Sequence, residues 1–296
     1  MGESARSIRQ PGPPSAARAV AVPVRARPVE AALPAGVPLL AALHALCAET
    51  GGESACLALS GGALGPFGYV MPALSPDAAH AAFYSAAFRP AGAAALEAGS
   101  VTVGFRDGAP FFHAHAIWRE ADGARRGGHL LPEETVIAAP ITARGVVIEG
   151  ARFEAVEDAE TGFRLFEPVA TAAVAAPDAL ALRLRPNQDL TAALEGLARG
   201  AGFARARLWG GVGSIIGARF ADAPPVENFA TEMFVTEGVV AGTDSARGPG
   251  ALRAALVDLT GALAAGRLLA GDNPVLMTVE AARWPRGGSW RATTRC

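Results

Sequence analysis

The histidines of this chain are concentrated in one short segment. Three of the five, His113, His115 and His129, fall within seventeen residues. Alternate residues of a β-strand point to the same face, so His113 and His115 would share a face if this segment is a strand. A turn at Asp122-Gly123 would then return the chain as a hairpin and carry His129 past them. Three converging imidazoles are typical of a catalytic zinc site with an open fourth position. The alternative is three polar side chains on a half-exposed strand, each hydrogen-bonded to backbone or water.

Acidic and aromatic residues near the histidines are weaker candidates for chemistry. Glu133 and Glu134 follow His129 closely, and either could orient a ligand or act as a general acid or base. Their alternative is a solvated turn. Tyr84 could face a substrate or could simply pack. His44 falls inside a predicted helix, which favours a packed or surface histidine over a metal ligand.

The elements that would position these residues occur twice along the chain. In the first half, residues 37–49 have helical periodicity, and a strand follows at residues 56–59. In the second half, residues 187–189 can cap a helix over residues 190–199, and a strand follows at residues 204–209. Asp122-Gly123 precedes Gly128-His129-Leu130-Leu131 by the same interval at which Thr260-Gly261 precedes Gly266-Arg267-Leu268-Leu269. A repeat of 140 to 150 residues predicts two copies of one domain, with a boundary in the Ala/Pro-rich residues 172–177.

Several of these strings resemble a known domain family. The run Leu184-Arg185-Pro186-Asn187-Gln188-Asp189-Leu190, a helix, and then Gly211-Val212-Gly213-Ser214 resembles the plants-and-prokaryotes-conserved (PPC) domain. The H-x-H strand, the Asp-Gly turn and the G-G-H-L return of that family also have counterparts here, in the histidine segment. The resemblance covers most of residues 35–283, and the chain as a whole resembles a tandem PPC protein of bacterial type. It implies an antiparallel sheet with a helix packed on it, assembly as a trimer, and zinc bound by His113, His115 and His129.

The plant branch of the same family carries a DNA-binding arm. Its Arg-Gly-Arg-Pro segment enters the minor groove, and the nearest string here is Arg25-Ala26-Arg27-Pro28. Alanine replaces the glycine that lets the backbone lie close to the groove. The resemblance therefore implies DNA binding less strongly than it implies a metal.

The two copies differ where the ligands should be. Aligning Gly123 with Gly261 places His113 on Ala251, His115 on Arg253 and His129 on Arg267. Arginine offers no lone pair to a metal, but two guanidinium groups suit a carboxylate or phosphate. Two interpretations stay open. The second copy has lost its site and the arginines lie on the surface, or both copies share a composite site in which Arg253 and Arg267 bind an anion. Ser214, in a predicted tight turn, could add backbone N–H groups to that anion site.

Composition narrows the function classes. Hydrophobic residues make up 51% and charged residues 18%, and the formal net charge is −2. This is a globular composition, and it disfavours a bulk electrostatic grip on nucleic acid. No apolar run reaches membrane-spanning length, no secretory signal is evident, and the three scattered cysteines indicate free thiols in a reducing compartment. We therefore expect a cytoplasmic protein. Phosphate-loop, nucleophile-elbow and H-E-x-x-H motifs are absent from the sequence.

These observations predict an α+β protein with two PPC-like domains, each an antiparallel sheet packed with one main helix. The predicted parts are a disordered basic tail at residues 1–30, a metal-site copy at 31–175, a ligand-less copy at 176–283 and a C-terminal tail at 284–296. The predicted function is a zinc-binding protein, an enzyme or a binder, acting on a small carboxylate-bearing molecule. The catalytic candidates are Glu133 and Glu134, and the substrate-binding candidates are Arg253, Arg267 and Ser214. The alternative is a DNA-associated regulatory protein in which the metal is structural.

Overall fold

The computed structural model describes residues 6–243 and 250–285 and is built mainly from β-strands. Strand accounts for 53% and helix for 10% of the structure. The elements in chain order are β1 Ala19–Leu33, α1 Leu39–Thr50, β2 Ser54–Ser60, β3 Ala63–Leu64, β4 Tyr69–Val70, β5 Pro72–Ala73, β6 Phe83–Tyr84, β7 Ala94–Arg106, β8 Ala109–Arg119, β9 Arg125–Leu130, a 3₁₀ helix Pro132–Glu134, β10 Ile137–Ala139, β11 Ile141–Glu149, β12 Ala151–Glu157, β13 Arg164–Ala170, β14 Ala179–Leu184, α2 Leu190–Gly200, β15 Arg205–Ile215, β16 Thr231–Ala241, β17 Ala251–Asp258, β18 Leu263–Arg267 and β19 Val275–Pro285.

The predicted α+β class is wrong. Among the described residues, 17 strands join one curled and largely antiparallel sheet, against which α1 and α2 are minor elements of 12 and 11 residues. Long strands such as β7 and β15 are rich in alanine and glycine, which have low β-propensity. Their strand character comes from pairing on both edges, which local patterns in the sequence do not reveal.

Each half of the chain pairs its strands in the same order. In the first half β1 pairs with β11, β11 with β2, β2 with β7, β7 with β8 and β8 with β9. In the second half β14 pairs with β19, β19 with β15, β15 with β16, β16 with β17 and β17 with β18. In chain order, a helix directly follows the first strand of each series: α1 follows β1, and α2 follows β14. Asp189 caps α2, as predicted, by accepting a hydrogen bond from the Ala192 N–H at 2.8 Å.

Strand β1 links the two halves. Its first part, from Ala19 to Val24, pairs with β14, and its second part, from Arg25 to Leu33, pairs with β11. Much of the segment predicted as a disordered tail is therefore a strand with partners. The predicted C-terminal tail lies outside the described residues, apart from its first two positions at the end of β19. The proposed division of the chain at about residue 175 stays a prediction.

Strand β8 is buried on both faces, and this double burial positions the histidines. Phe112, Ala114, Ala116 and Trp118 belong to the core between the first-half sheet and α1. The alternate residues face the second half, where Ile117 packs with Phe234 of β16 and Ala255 of β17. Burying side chains of this size stabilises the contact by about 1.5–3 kcal/mol each. His113 and His115 lie on that same face, so they point into the contact between the halves.

The cysteines that the structure describes are free thiols. Cys47 and Cys56 are buried and unpaired, as predicted, and burial raises the pKa of Cys47 to about 12. Cys296 lies outside the described residues.

No helix in the described part of the chain is long and apolar enough to cross a membrane.

A buried ion-pair network joins the end of β14 to the hairpin formed by β12 and β13. Arg183 is 0% exposed and bonds Asp158 Oδ2 at 2.6 Å and Glu167 Oε2 at 3.0 Å, and Arg185 bonds the same two carboxylates. Burial alone would raise the pKa of Asp158, but Arg183 and the hydrogen bonds from Thr161 outweigh burial and lower it. The stability that this carboxylate contributes is therefore present above its unfolded pKa of about 3.9 and is lost as the pH falls through the lower folded value.

Replacing Asp158 with alanine should destabilise the fold by about 3 kcal/mol at neutral pH, because the buried guanidinium group of Arg183 then keeps only one of its two carboxylate partners, Glu167. The measurement is urea unfolding. The control is Glu149→Ala, which removes the exposed partner of Arg27 and should cost less than about 1 kcal/mol. Equal losses in the two variants would contradict the importance given to the buried network.

Candidate metal centre

The predicted histidine hairpin is present. β8 and β9 pair antiparallel with His115 directly opposite His129, and the turn between them contains Gly123 at φ +83°. His113 Nε2 lies 3.1 Å from His115 Nε2, and His115 Nε2 lies 3.2 Å from His129 Nδ1. The three imidazoles therefore present nitrogen atoms to one common point, as the sequence predicted.

The second half of the chain supplies a fourth donor at that point. The carboxylate of Glu232, on β16, contacts His115 Nε2, and one ligand atom from each of the four residues lies within 4.8 Å of all the others. We call His113, His115, His129 and Glu232 the four-residue centre. Met233 and Val235 on the same strand point into the second-half core, so alternation places Glu232 and Phe234 on the face toward β8.

Two further groups of the second half fix the imidazole rings. His113 Nδ1–H donates to Glu280 Oε2 at 2.7 Å, and His115 Nδ1–H donates to the Met233 carbonyl at 2.9 Å. Each hydrogen bond places the proton on Nδ1 and leaves the Nε2 lone pair facing the common point. Glu280 is 0% exposed and also accepts from Thr278 Oγ1 at 2.9 Å, so the carboxylate itself is held.

The titration of the histidines reflects this environment. Burial acts to lower the pKa of His113, but the carboxylate of Glu280, and then that of Glu232, outweighs burial and raises it. The pKa of His129 is well below its usual value, because of burial first and the neighbouring His113 and His115 second. The lowered pKa favours the neutral form of His129, the form that binds metal ions.

This donor set fits a transition-metal ion. Lone pairs of three imidazoles and a carboxylate facing one point repel one another unless a cation or protons lie between them. In a tetrahedral zinc site with zinc–ligand distances of about 2.0–2.1 Å, neighbouring ligand atoms are about 3.3–3.4 Å apart. The nitrogen–nitrogen separations of 3.1 and 3.2 Å come close to that spacing. Imidazole nitrogen with one carboxylate oxygen suits zinc and its neighbours rather than calcium or magnesium, which prefer oxygen ligands.

A cavity opens beside the four-residue centre. It has a volume of about 430 Å³ and is lined on one side by His113, His129 and Glu280. The rings of Phe83, Tyr84, Phe111, Phe163 and Phe166 form much of the rest of its wall. We call it the aromatic cavity. The Tyr84 ring meets the His129 ring edge-on at 5.3 Å, and the pKa of Tyr84 is well above its usual value because of burial and then the carboxylates of Glu232 and Glu280.

A second, smaller cavity reaches the predicted residue Ser214. Its volume is about 30 Å³, and Tyr84, His113, Ser214 and Glu232 are among its lining residues. Ser214 lies inside strand β15, so the predicted tight turn with free N–H groups is wrong. Its Oγ accepts the Met277 N–H at 3.1 Å. A Cβ at Gly213 would come within 2.0 Å of the Thr278 carbonyl, which explains why glycine precedes Ser214 in this tightly packed strand.

The other predicted residues have partners elsewhere. Both oxygens of Glu134 accept hydrogen bonds from Arg89 at 2.7 Å, and Glu133 is exposed. Arg253 pairs with Asp222 at 2.7 Å, and the Arg267 N–H donates to the same carboxylate at 2.7 Å. None of these four residues lines either cavity described above, so their predicted roles in acid–base chemistry and anion binding stay untested.

Sequence reasoning missed the two carboxylates that contact the histidines. Glu232 is 9% exposed and Glu280 0% exposed, and apolar or uncharged residues flank each of them directly along its strand. Buried carboxylates require a partner because burying an isolated charge is very costly. That pattern was the available signal, although the sequence alone does not show which partner each acid meets.

Comparison with known proteins gives limited similarity. No family model and no curated protein matches the chain. Among solved structures, a plant- and prokaryote-conserved (PPC) protein from Pyrococcus horikoshii is 22% identical with a TM-score of 0.39, over 49% of this chain and 95% of that one. A metal-containing protein from Archaeoglobus fulgidus is 21% identical with a TM-score of 0.38, over 50% and 98%. A protein from Ralstonia eutropha that is provisionally named as DNA-binding is 18% identical with a TM-score of 0.34, over 47% and 89%.

Proposed function

We propose that this protein binds one divalent metal ion, zinc in particular, at the four-residue centre and uses it to bind a small carboxylate-bearing molecule in the aromatic cavity. The convergence of His113, His115 and His129 with Glu232 from the opposite half carries this proposal. The two hydrogen bonds at the Nδ1 atoms of His113 and His115 support it, since metal-binding histidines commonly donate their other N–H to a carboxylate or a backbone carbonyl.

The proposed centre is composite. The first half contributes three imidazoles, and the second half contributes the Glu232 ligand, the Glu280 carboxylate and the Met233 carbonyl. One interpretation of the sequence was a site shared by both halves, in which Arg253 and Arg267 bind an anion. The proposed centre is shared in the same way, but the second half contributes carboxylates to it instead of those arginines. With Glu232 bound, protein would fill all four tetrahedral positions, which is typical of structural zinc and would join the two halves. A bound metal ion would supply a Lewis acid beside the aromatic cavity.

The same proposal treats the halves as two PPC-like copies, residues 31–175 and 176–283. Its support is the shared order of strand pairing and the equivalent register, in which Arg253 lies opposite Arg267 as His115 lies opposite His129. Assembly as a trimer and a cytoplasmic location follow only from the sequence and the family resemblance, and they stay part of the proposal.

Metal analysis of the purified protein tests the centre. We expect one zinc per chain, and we expect His115→Ala to lose it on dialysis against a weak chelator. Glu232→Ala should bind zinc at least tenfold more weakly, because even loss of a residue that only orients a ligand costs about 10–100-fold in affinity. The control is His80→Ala, which removes a histidine outside the four-residue centre. An unchanged zinc content in His115→Ala would sink the proposal.

Glu280→Gln tests whether the second half orients the first-half ligands. The amide cannot supply the negative charge that favours the Nδ1–H tautomer of His113, so zinc affinity should fall by about tenfold or more. Affinity would be measured by competition with a chromophoric chelator. The matched control is Glu237→Gln, an exposed glutamate on β16 that should leave the affinity unchanged. Equal affinities in the two variants would show that Glu280 has no orienting role.

The rival function is a DNA-associated protein with a structural metal. The string that suggested it, Arg25 to Pro28, lies within β1, and Arg27 there pairs with Glu149 at 2.7 Å. These residues therefore form part of a paired strand and not a free arm. We expect no binding to duplex DNA in a mobility-shift assay at 50 mM salt. Binding that falls steeply with salt and disappears in an Arg25→Ala, Arg27→Ala double variant would favour the rival.

A further inference from the structure

The aromatic cavity has a polarity along its length. Its inner end is lined by the carboxylate of Glu280 beside His113 and His129 of the four-residue centre. Its wall is apolar, with Phe111 and Phe166 meeting edge-to-face at 5.9 Å and Phe83 stacked on Phe163 at 5.8 Å. Cavities of this size and lining bind small organic molecules with an apolar body.

Two arginines line the same cavity, and their surroundings differ. Arg164 bonds both oxygens of Asp107, at 2.6 and 2.7 Å, and also pairs with Glu157. Its charge is therefore neutralised. Arg106 lies at the end of β7 with its guanidinium carbon 5.5 Å from the centre of the Phe111 ring. Among the described residues no carboxylate accepts a hydrogen bond from Arg106. The neighbouring Asp107, which is close enough to interact with its charge, accepts its hydrogen bonds from Arg164.

The spacing between Arg106 and the four-residue centre limits the length of a ligand. Phe111, on which Arg106 lies, and His113 are two residues apart on one face of β8, which is about 7 Å along a strand. A molecule that contacts Arg106 and reaches the centre must therefore be roughly the length of a benzene ring with a substituent at each end. With a divalent ion at the four-residue centre, the charges of Glu232 and Glu280 offset that of the ion, whereas Arg106 at the outer end keeps its positive charge and attracts a carboxylate.

We infer that the aromatic cavity binds an aryl carboxylic acid, with its carboxylate on Arg106, its ring among the phenylalanines and a neutral polar group toward the four-residue centre. This inference names the ligand class of the site and rests on the proposed function. Arginine grips a carboxylate through two parallel hydrogen bonds, and the flat ring matches the aromatic wall. Arg106 takes the role that the sequence analysis gave to Arg253 and Arg267.

Calorimetric titration of the zinc-loaded protein tests this inference. The probe is 4-hydroxyphenylacetate, and the matched neutral ligand is 4-hydroxyphenylacetamide. We expect the acid to bind at least tenfold more tightly than the amide, since a hydrogen bond to a charged group contributes about 1.5–3 kcal/mol, or roughly 10–100-fold. Arg106→Gln should reduce binding of the acid to the level of the amide. Arg126→Gln, an exposed arginine outside the cavity, should bind the acid as the unaltered protein does.

The outcomes separate this inference from the proposed function. No binding of the acid, equal binding of acid and amide, or equal binding by Arg106→Gln and Arg126→Gln would overturn the ligand class while zinc uptake stands. Failure of the unaltered protein to take up zinc would overturn the metal centre. In that event, Arg106-dependent binding of the acid by the metal-free protein would still support the carboxylate site.

Discussion

The packing of the second half against one face of β8 is the constraint on which the site depends. A strand buried on both faces normally carries apolar residues on each, and β8 does so at Phe112, Trp118 and Ile117. The positions of His113 and His115 are exceptions on the inner face. The free-energy cost of burying these two imidazoles is offset because β16 and β19 bring Glu232, Glu280 and the Met233 carbonyl into contact with them. Buried polar groups are tolerated when each has a partner, and here each partner comes from the opposite half.

The difference between the halves follows from the same geometry. Arg253 and Arg267 occupy the register that His115 and His129 occupy in the first half, but these two residues are exposed and share Asp222. Guanidinium groups at an exposed site stay hydrated and need little compensation, whereas on the buried inner face of β8 each would need buried partners for its charge. One half therefore carries the imidazoles and the other the carboxylates that complete the centre, and neither half holds all four donors.

The sequence predicted what is local and missed what is distant. The histidine hairpin, the Asp189 cap and the positions of α1 and α2 depend on residues a few positions apart, and the structure confirms them. Glu280 meets His113 across 167 residues and Met233 meets His115 across 118, and no spacing rule reaches that far. The fold class was wrong for a related reason, because alanine- and glycine-rich strands such as β7 become strands through pairing with distant neighbours. Arg106 was overlooked because only the fold shows that Arg164 takes its neighbouring carboxylate.

The proposed metal ion is shared by the two halves of the chain. An anomalous-difference map from crystals of the zinc-loaded protein, collected at the zinc edge, would locate it. We expect a single peak per chain in the part that the structure describes, at about 2.0–2.1 Å from one nitrogen of each of His113, His115 and His129 and from a Glu232 oxygen. A peak ligated without Glu232, or no peak among the three histidines, would contradict the composite centre.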